Sequence, residues 1–131
     1  MRKMLFRGKR KDNGEWIKGF LFQTQEHTYI AYDEQFDDDL FLSPKNIFIE
    51  VEPRTVTEFT GLYDKNDKEI WEGDVVTMPA YGGGKHTTFV YFKNGKFAVN
   101  GSQYHFKDIH PGKMEVIGTI FDEVDNNDIE E

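Results

Sequence analysis

The sequence predicts a mainly β protein with few or no helices. Three observations carry this. Phe, Tyr and Trp make up 15% of the 131 residues, twelve glycines punctuate them, and alanine is scarce. Aromatic and β-branched side chains suit a pleated, half-buried surface, whereas a helical chain of this size draws on alanine. The apolar runs are short and bounded by Asn, Asp, Gly and Pro, the residues that supply turn conformations.

In chain order, Met4-Leu5-Phe6 and Trp16 to Phe22 read as two strands joined through Asp12-Asn13-Gly14, an Asn-Gly hairpin signal. His27 to Tyr32 alternates in the strand manner, and Asp33 to Asp39 reads as a polar, acidic loop. Ile47 to Val51 is another β-rich run, closed by Pro53. The change of character at Pro53-Arg54 places a boundary between an N-terminal β lobe, residues 1–53, and a second lobe, residues 54–121. Val56 to Phe59 leads into the most patterned stretch, TGLYDKNDKEIWEGDVV (Thr60 to Val76). There Asp64 to Lys68 reads as a hairpin tip, Trp71 as a core aromatic, and Gly73 as the corner that starts a strand at Asp74.

Asn94-Gly95 predicts a two-residue type I′ turn that sets Lys93 against Lys96, Phe92 against Phe97, Tyr91 against Ala98 and Val90 against Val99. Asn100-Gly101 predicts a second such turn, with Val99 facing Ser102 and Phe97 facing Tyr104. The two turns agree on one apolar face, made by Val90, Phe92, Phe97, Val99 and Tyr104 and continued by Phe106. Met114 to Phe121 reads as the last strand, and the acidic segment 122–131 as a flexible tail.

The length suits one compact unit of two lobes without disulfides or metal. There is no cysteine, which excludes thiol chemistry and fits a reducing compartment. No apolar run approaches the roughly 18–20 residues of a membrane span, and no apolar segment follows the basic start, so a cytoplasmic location is expected. Net charge is −8, but residues 1–12 carry Arg2, Lys3, Arg7, Lys9, Arg10 and Lys11 against Asp12 alone. Those six are candidate phosphate contacts, but the favoured reading is of solvated charges that keep an edge strand from aggregating, because the acidic remainder of the chain repels nucleic acid at long range.

Chemistry is hard to find. Tyr81-Gly82-Gly83-Gly84-Lys85 fails as a phosphate loop, because Pro79 and His86 stand where Gly and Ser or Thr are required. It reads instead as a loop between strands and as a candidate partner-binding lip. Neither Asp33 to Asp39 nor Asp64 to Glu69 has calcium-loop spacing. His27, His86, His105 and His110 have no spacing that builds a metal site. Ser43 and Ser102 lie in no nucleophile pattern, and no carboxylate pair stands out. No catalytic, cofactor or metal residue is assigned.

RKMLFRGK followed by WIKG, then VEPRTVTEFTGLYDKNDKEIWEGDVV, and finally EVIGTIFDE resemble the YopX family of phage and prophage proteins, in the family's order. The resemblance implies a mostly β protein whose C-terminal lobe is an SH3-like barrel, working in a bacterial cytoplasm, with no activity to carry over. One departure is Asp67, which stands where the family pattern has Gly. The functional expectation is a non-enzymatic accessory protein that binds a host or phage protein, with nucleic-acid binding through the basic N-terminal segment as the alternative. Self-association is compatible with the abundance of aromatic residues and strand edges.

Overall fold

The computed structural model describes residues 4–32, 48–101 and 106–122. The chain is mainly β, as expected, and divides into two compact units, residues 1–59 and 60–131.

In the first unit, β1 (Phe6–Lys9), β2 (Trp16–Gln23), β3 (Thr28–Tyr32) and β4 (Phe48–Glu50) lie in the order β4-β3-β2-β1, all antiparallel. The first residues of β5 (Thr57–Tyr63) pair with β1, Phe6 with Glu58 and Arg7 with Thr57. The first strand therefore begins two residues later than the apolar trio Met4-Leu5-Phe6 suggests, and includes Arg7 and Lys9. β1 and β2 form the expected hairpin, but its turn differs. Lys9 pairs with Trp16, and only Gly14, at φ 75°, is left-handed. The Arg10 amide donates to the Glu15 carbonyl at 2.9 Å, and Gly14 N donates to the Arg10 carbonyl at 2.9 Å. Asn13 contributes its side chain instead, accepting from the Glu15 amide at 2.9 Å.

An isolated bridge between Arg10 and Val51 joins the far end of β1 to the residues after β4, so the sheet curls. Its inner face holds Ile17, Ile30 and Val51, with Phe6, Leu21, Ile49 and Val56 packed against them. Thr55, in a single 3-10 turn at Pro53–Thr55, pins β1 by accepting from the Lys9 amide at 2.8 Å.

In the second unit, β5 continues to Tyr63 and turns back into β6 (Glu69–Trp71). The tip is Asp64 to Lys68, as expected. Two three-stranded sheets follow. One has the order β12-β7-β8, from β7 (Asp74–Pro79), β8 (Lys85–Phe89) and β12 (Glu115–Thr119). The other has the order β11-β10-β9, from β9 (Tyr91–Lys93), β10 (Lys96–Asn100) and β11 (Phe106–Asp108). No sheet closes into a barrel among the described residues, so the SH3-like closure is not seen. Ile70, Val76, Met78, Val90, Val99, Met114 and Val116 form the core, with Phe97 and Ile109 against it.

The Asn94-Gly95 turn is as read from the sequence, with φ of 55° and 83° and the pairs Lys93–Lys96, Phe92–Phe97 and Tyr91–Ala98; the expected Val90–Val99 pair is corrected, because the Val90 amide donates to the Asp74 carbonyl at 2.9 Å and its carbonyl accepts from the Gly73 amide at 2.8 Å. The Phe92 and Phe97 rings meet edge to face at 4.9 Å. The second turn is corrected. Val99 pairs with Lys107 and Asn100 with Phe106, not Val99 with Ser102. A type I′ turn needs two left-handed residues, and neither Asn100 nor Gly101 is left-handed. The connection is therefore longer than two residues; Ser102 to His105, including Tyr104, lie outside the described residues. At Ile120 a helical turn begins. Thr119 caps it, with its Oγ1 accepting from the Phe121 amide at 3.1 Å and the Asp122 amide at 3.2 Å, while Asp122 Oδ2 accepts from the Thr119 amide at 3.2 Å. The rest of the expected acidic tail, 123–131, and the whole of the expected loop Asp33 to Asp39 lie outside the described residues.

Candidate functional site

The conspicuous surface of the first unit is the outer face of its curled sheet. Side chains alternate across a strand, so burying Ile17, Gly19 and Leu21 of β2 turns Trp16, Lys18, Phe20 and Phe22 outward. Register does the rest. Phe20 pairs with Ala31 and Phe22 with Tyr29, while Ala31 pairs with Phe48 and Tyr29 with Glu50. On the other side Arg7 pairs with Lys18 and Lys9 with Trp16. A row of cations thus adjoins a patch of rings.

Phe20, Phe22 and Phe48 keep 44%, 49% and 52% of their surface exposed. Phe22 is the hub, with ring centroids 5.4 Å from Phe48 and 6.1 Å from Tyr29. Large rings normally repay burial by about 1.5–3 kcal/mol each, so three on one face mark a contact surface more than scattered exposure would. The Arg7 guanidinium lies 4.4 Å from the centre of the Trp16 ring and donates from Nε to Thr57 Oγ1 at 3.2 Å. Lys9 Nζ is 5.4 Å from the same ring. Among the described residues, Glu50 is the acid that register places on this face. Its Oε2 lies 2.7 Å from His27 Nδ1 and 3.3 Å from Lys11 Nζ. The His27 hydrogen bond, then Lys11, hold the Glu50 carboxyl below its ordinary range against a smaller opposing effect of burial.

The six basic candidates therefore separate. Arg2 and Lys3 lie outside the described residues. Register puts Arg7 and Lys9 on the outer side, where Arg7 is buried against Trp16 and Thr57 and Lys9 is half-buried. Arg10 is turned to Asp12, with Nη2 2.8 Å from Oδ2, and Lys11 to Glu50. The local excess of positive charge read from the sequence is thus partly neutralised by acids that the fold brings alongside. Sequence reasoning missed Lys18, Phe20, Phe22 and Phe48 as one surface. The signal was present in the alternation of β2, but only the pairing with β3 and β4 shows that the outward face is the aromatic one.

In the second unit, Tyr81 to Gly84 form the β7–β8 loop, closed by the Ala80 amide on the Gly84 carbonyl at 3.0 Å and the Gly83 amide on the Ala80 carbonyl at 3.1 Å. Gly82, Gly83 and Gly84 have φ of 87°, 111° and 78°, which explains three adjacent glycines as a backbone requirement. Tyr81 is 82% exposed, and Lys85 pairs with Pro79 at the base of the loop. A depression lined by Met78, Pro79, His110, Lys113 and Met114 brings one imidazole and one amine together with no carboxylate. No cluster of three or more His, Asp or Glu that would hold a metal occurs among the described residues. No helix among them is long and apolar enough to cross a membrane.

The Thr60 to Val76 stretch has structural roles. Thr60 Oγ1 donates to the Ile70 carbonyl at 2.7 Å. Asp64 Oδ1 accepts from the Asn66 and Lys68 amides at 2.8 and 2.9 Å, and its Oδ2 from the Val116 amide at 2.9 Å. Burial pushes the Asp64 carboxyl up, but the bonds from Val116, Lys68 and Asn66, with the charge of Lys68, outweigh it and hold it below its ordinary value. Trp71 is 4% exposed, and Asp74 Oδ2 accepts from its amide at 2.8 Å. Gly73, at φ 88°, makes the corner into β7.

Residues 5–125 match the family model described as YopX protein. No curated protein matches the chain.

Proposed function

We propose that this chain, which belongs to the YopX family, is a non-enzymatic phage or prophage accessory protein that acts by binding a macromolecular partner in the bacterial cytoplasm. The observation that carries the reading is the outer face of the first unit's sheet, where Phe20, Phe22 and Phe48 are 44–52% exposed and share the face with the exposed Lys18. Exposed rings next to cations are the composition of contact surfaces rather than of catalytic clefts, which gather titratable groups around a pocket. The SH3-like reading of the second unit rests on the family resemblance alone, and such barrels serve many roles, so it adds nothing to the choice of function.

The test is crosslinking in host cells carrying the phage or prophage, comparing the wild-type chain with a Phe22→Ala/Phe48→Ala variant shown to be folded by circular dichroism. The expected result is a crosslinked species, protein or nucleic acid, that the variant loses. Equal recovery by both would remove the outer face as the contact surface.

A further inference from the structure

We propose that the depression at the end of β7 in the second unit binds a small organic anion, a carboxylate on an apolar body of about ring size. Lys113 and His110 hold the carboxylate, and Met78, Pro79 and Met114 receive the apolar part. This site is independent of the outer face of the first unit and of whatever partner binds there.

Two segments of chain build the site. Thr77 of β7 pairs with Glu115 of β12, so the residues just before β12 lie alongside the end of β7. Those residues form a 3-10 turn at Pro111–Lys113. In it the Lys113 amide donates to the His110 carbonyl at 3.0 Å, and the Met114 amide to the Pro111 carbonyl at 3.2 Å. Side chains three apart eclipse each other in such a turn, which brings the His110 imidazole and the Lys113 amine to one side. Both residues are exposed, whereas Met78 and Met114, at 6% and 0%, are the buried part of the lining.

Each part of the lining points to the same ligand. Among the described residues, no hydrogen bond or ion pair takes up the Lys113 amine or the His110 ring. The acids nearest in sequence are engaged elsewhere: Asp108 by Lys96 Nζ at 2.7 Å, and Glu115 by Lys65 Nζ at 3.9 Å. On β8, register sets Lys85 beside Pro79 and His86 beside Met78, which adds positive charge and no acid. His86 Nε2 is occupied, donating to the Asn100 carbonyl at 3.1 Å. An ammonium and an imidazole side by side with no carboxylate in the lining attract an anion and repel a cation. Thioethers are polarizable and pack well against the edge of an aromatic ring, so the apolar body is best a ring. Volume sets the size: about 170 Å³, below the roughly 300 Å³ at which pockets begin to hold drug-sized ligands.

Amide-detected NMR titration of the full chain tests this. Phenylacetate serves as the free ligand, and a short peptide ending in phenylalanine with its carboxylate free as the second source of the same chemistry. Benzyl alcohol lacks the charge and inorganic phosphate lacks the apolar body. At least one of the two carboxylates is expected to shift the Met78, Lys113 and Met114 amides saturably, with a Kd of about 1 mM or tighter. Benzyl alcohol and phosphate should each bind at least about ten-fold more weakly. Lys113→Ala and His110→Ala, both at exposed positions, should each weaken binding roughly five-fold or more, and Lys113→Arg should retain most of it. Lys93→Ala, which removes an exposed cation of β9, should leave affinity unchanged. Binding of phenylacetate alone assigns the site to a small molecule, and tighter binding of the peptide assigns it to a chain terminus; either supports the anion site. No saturable shift at these amides with either carboxylate, equal binding of benzyl alcohol, or an equal loss with Lys93→Ala would overturn it.

Discussion

Asp67 shows how a single residue's cost is visible in the chain and then measurable. It adopts φ 65°, a left-handed conformation that glycine reaches without penalty, and its amide donates to the Asp64 carbonyl at 2.9 Å. The sequence marks the position because the resembling pattern has Gly there. Asp67→Gly should be neutral or stabilising by up to about 1 kcal/mol, the relief of the left-handed strain less the added flexibility of the unfolded chain. Thermal unfolding checks it, and a clear fall in Tm would mean that the Asp67 side chain itself supports the tip. Asp64, three residues earlier, is the opposite case. Its weight comes from the Val116 amide, 52 positions away in sequence, so no local pattern reveals that it joins the tip to β12. Trp71 was legible as a core aromatic because its apolar bulk alone decides burial.

At the scale of elements, legibility follows how locally each feature is determined. The Asn94-Gly95 hairpin was readable for the three pairs next to its turn, because a two-residue turn fixes register on both strands at once, but not for the fourth, since Val90 bonds Gly73 and Asp74 in place of Val99. The same dipeptide type at Asn100-Gly101 misled, since the β10–β11 register is set instead by where Lys107 and Asp108 pair. The aromatic face of β2 was half legible: its alternation shows two faces, but only β3 and β4 decide which is inside. Gly19 locks that decision. A Cβ there would lie 1.9 Å from the Ala31 carbonyl oxygen and 3.2 Å from Ile30 Cγ2, so β3 approaches too closely for any side chain. Gly19→Ala should destabilise by about 2–4 kcal/mol, an overpacking cost that backbone has to absorb. Gly118→Ala in β12, where the nearest atom is Asp122 Oδ2 at 3.6 Å, should stay within about 0.5 kcal/mol. Denaturant midpoints of the two variants compare them directly; equal losses would show that β2 and β3 have room to separate.

For the whole molecule, the net charge of −8 hides a division along the sequence. The eleven acids of segments 33–39 and 122–131 account for more than the total, so the remaining chain is slightly basic and the N-terminal cations are one part of that balance. The carboxylates with a resolved shift, Asp12, Glu50, Asp64 and Asp108, all move down from their ordinary values. A depressed folded-state value means that each contributes stability above its unfolded value near 4, and loses it as pH falls through the folded value. The four differ in origin. Asp12, Glu50 and Asp108 owe the shift first to side-chain bonds from Arg10, His27 and Lys96 at the surface, which salt screens. Asp64 is 4% exposed and owes it to three backbone amides, which salt leaves in place. Asp64→Asn turns an amide donor against one of those N–H groups whichever way it is rotated, so it should cost about 1–3 kcal/mol at neutral pH. At high salt the difference in Tm between wild type and Asp64→Asn should hold from neutral pH down to about 4 and narrow steadily below it, as the wild-type carboxyl gains its proton and loses the same acceptor. A difference that persisted unchanged to the lowest pH at which both chains fold would mean that the three amide bonds do not depend on the charge of Asp64.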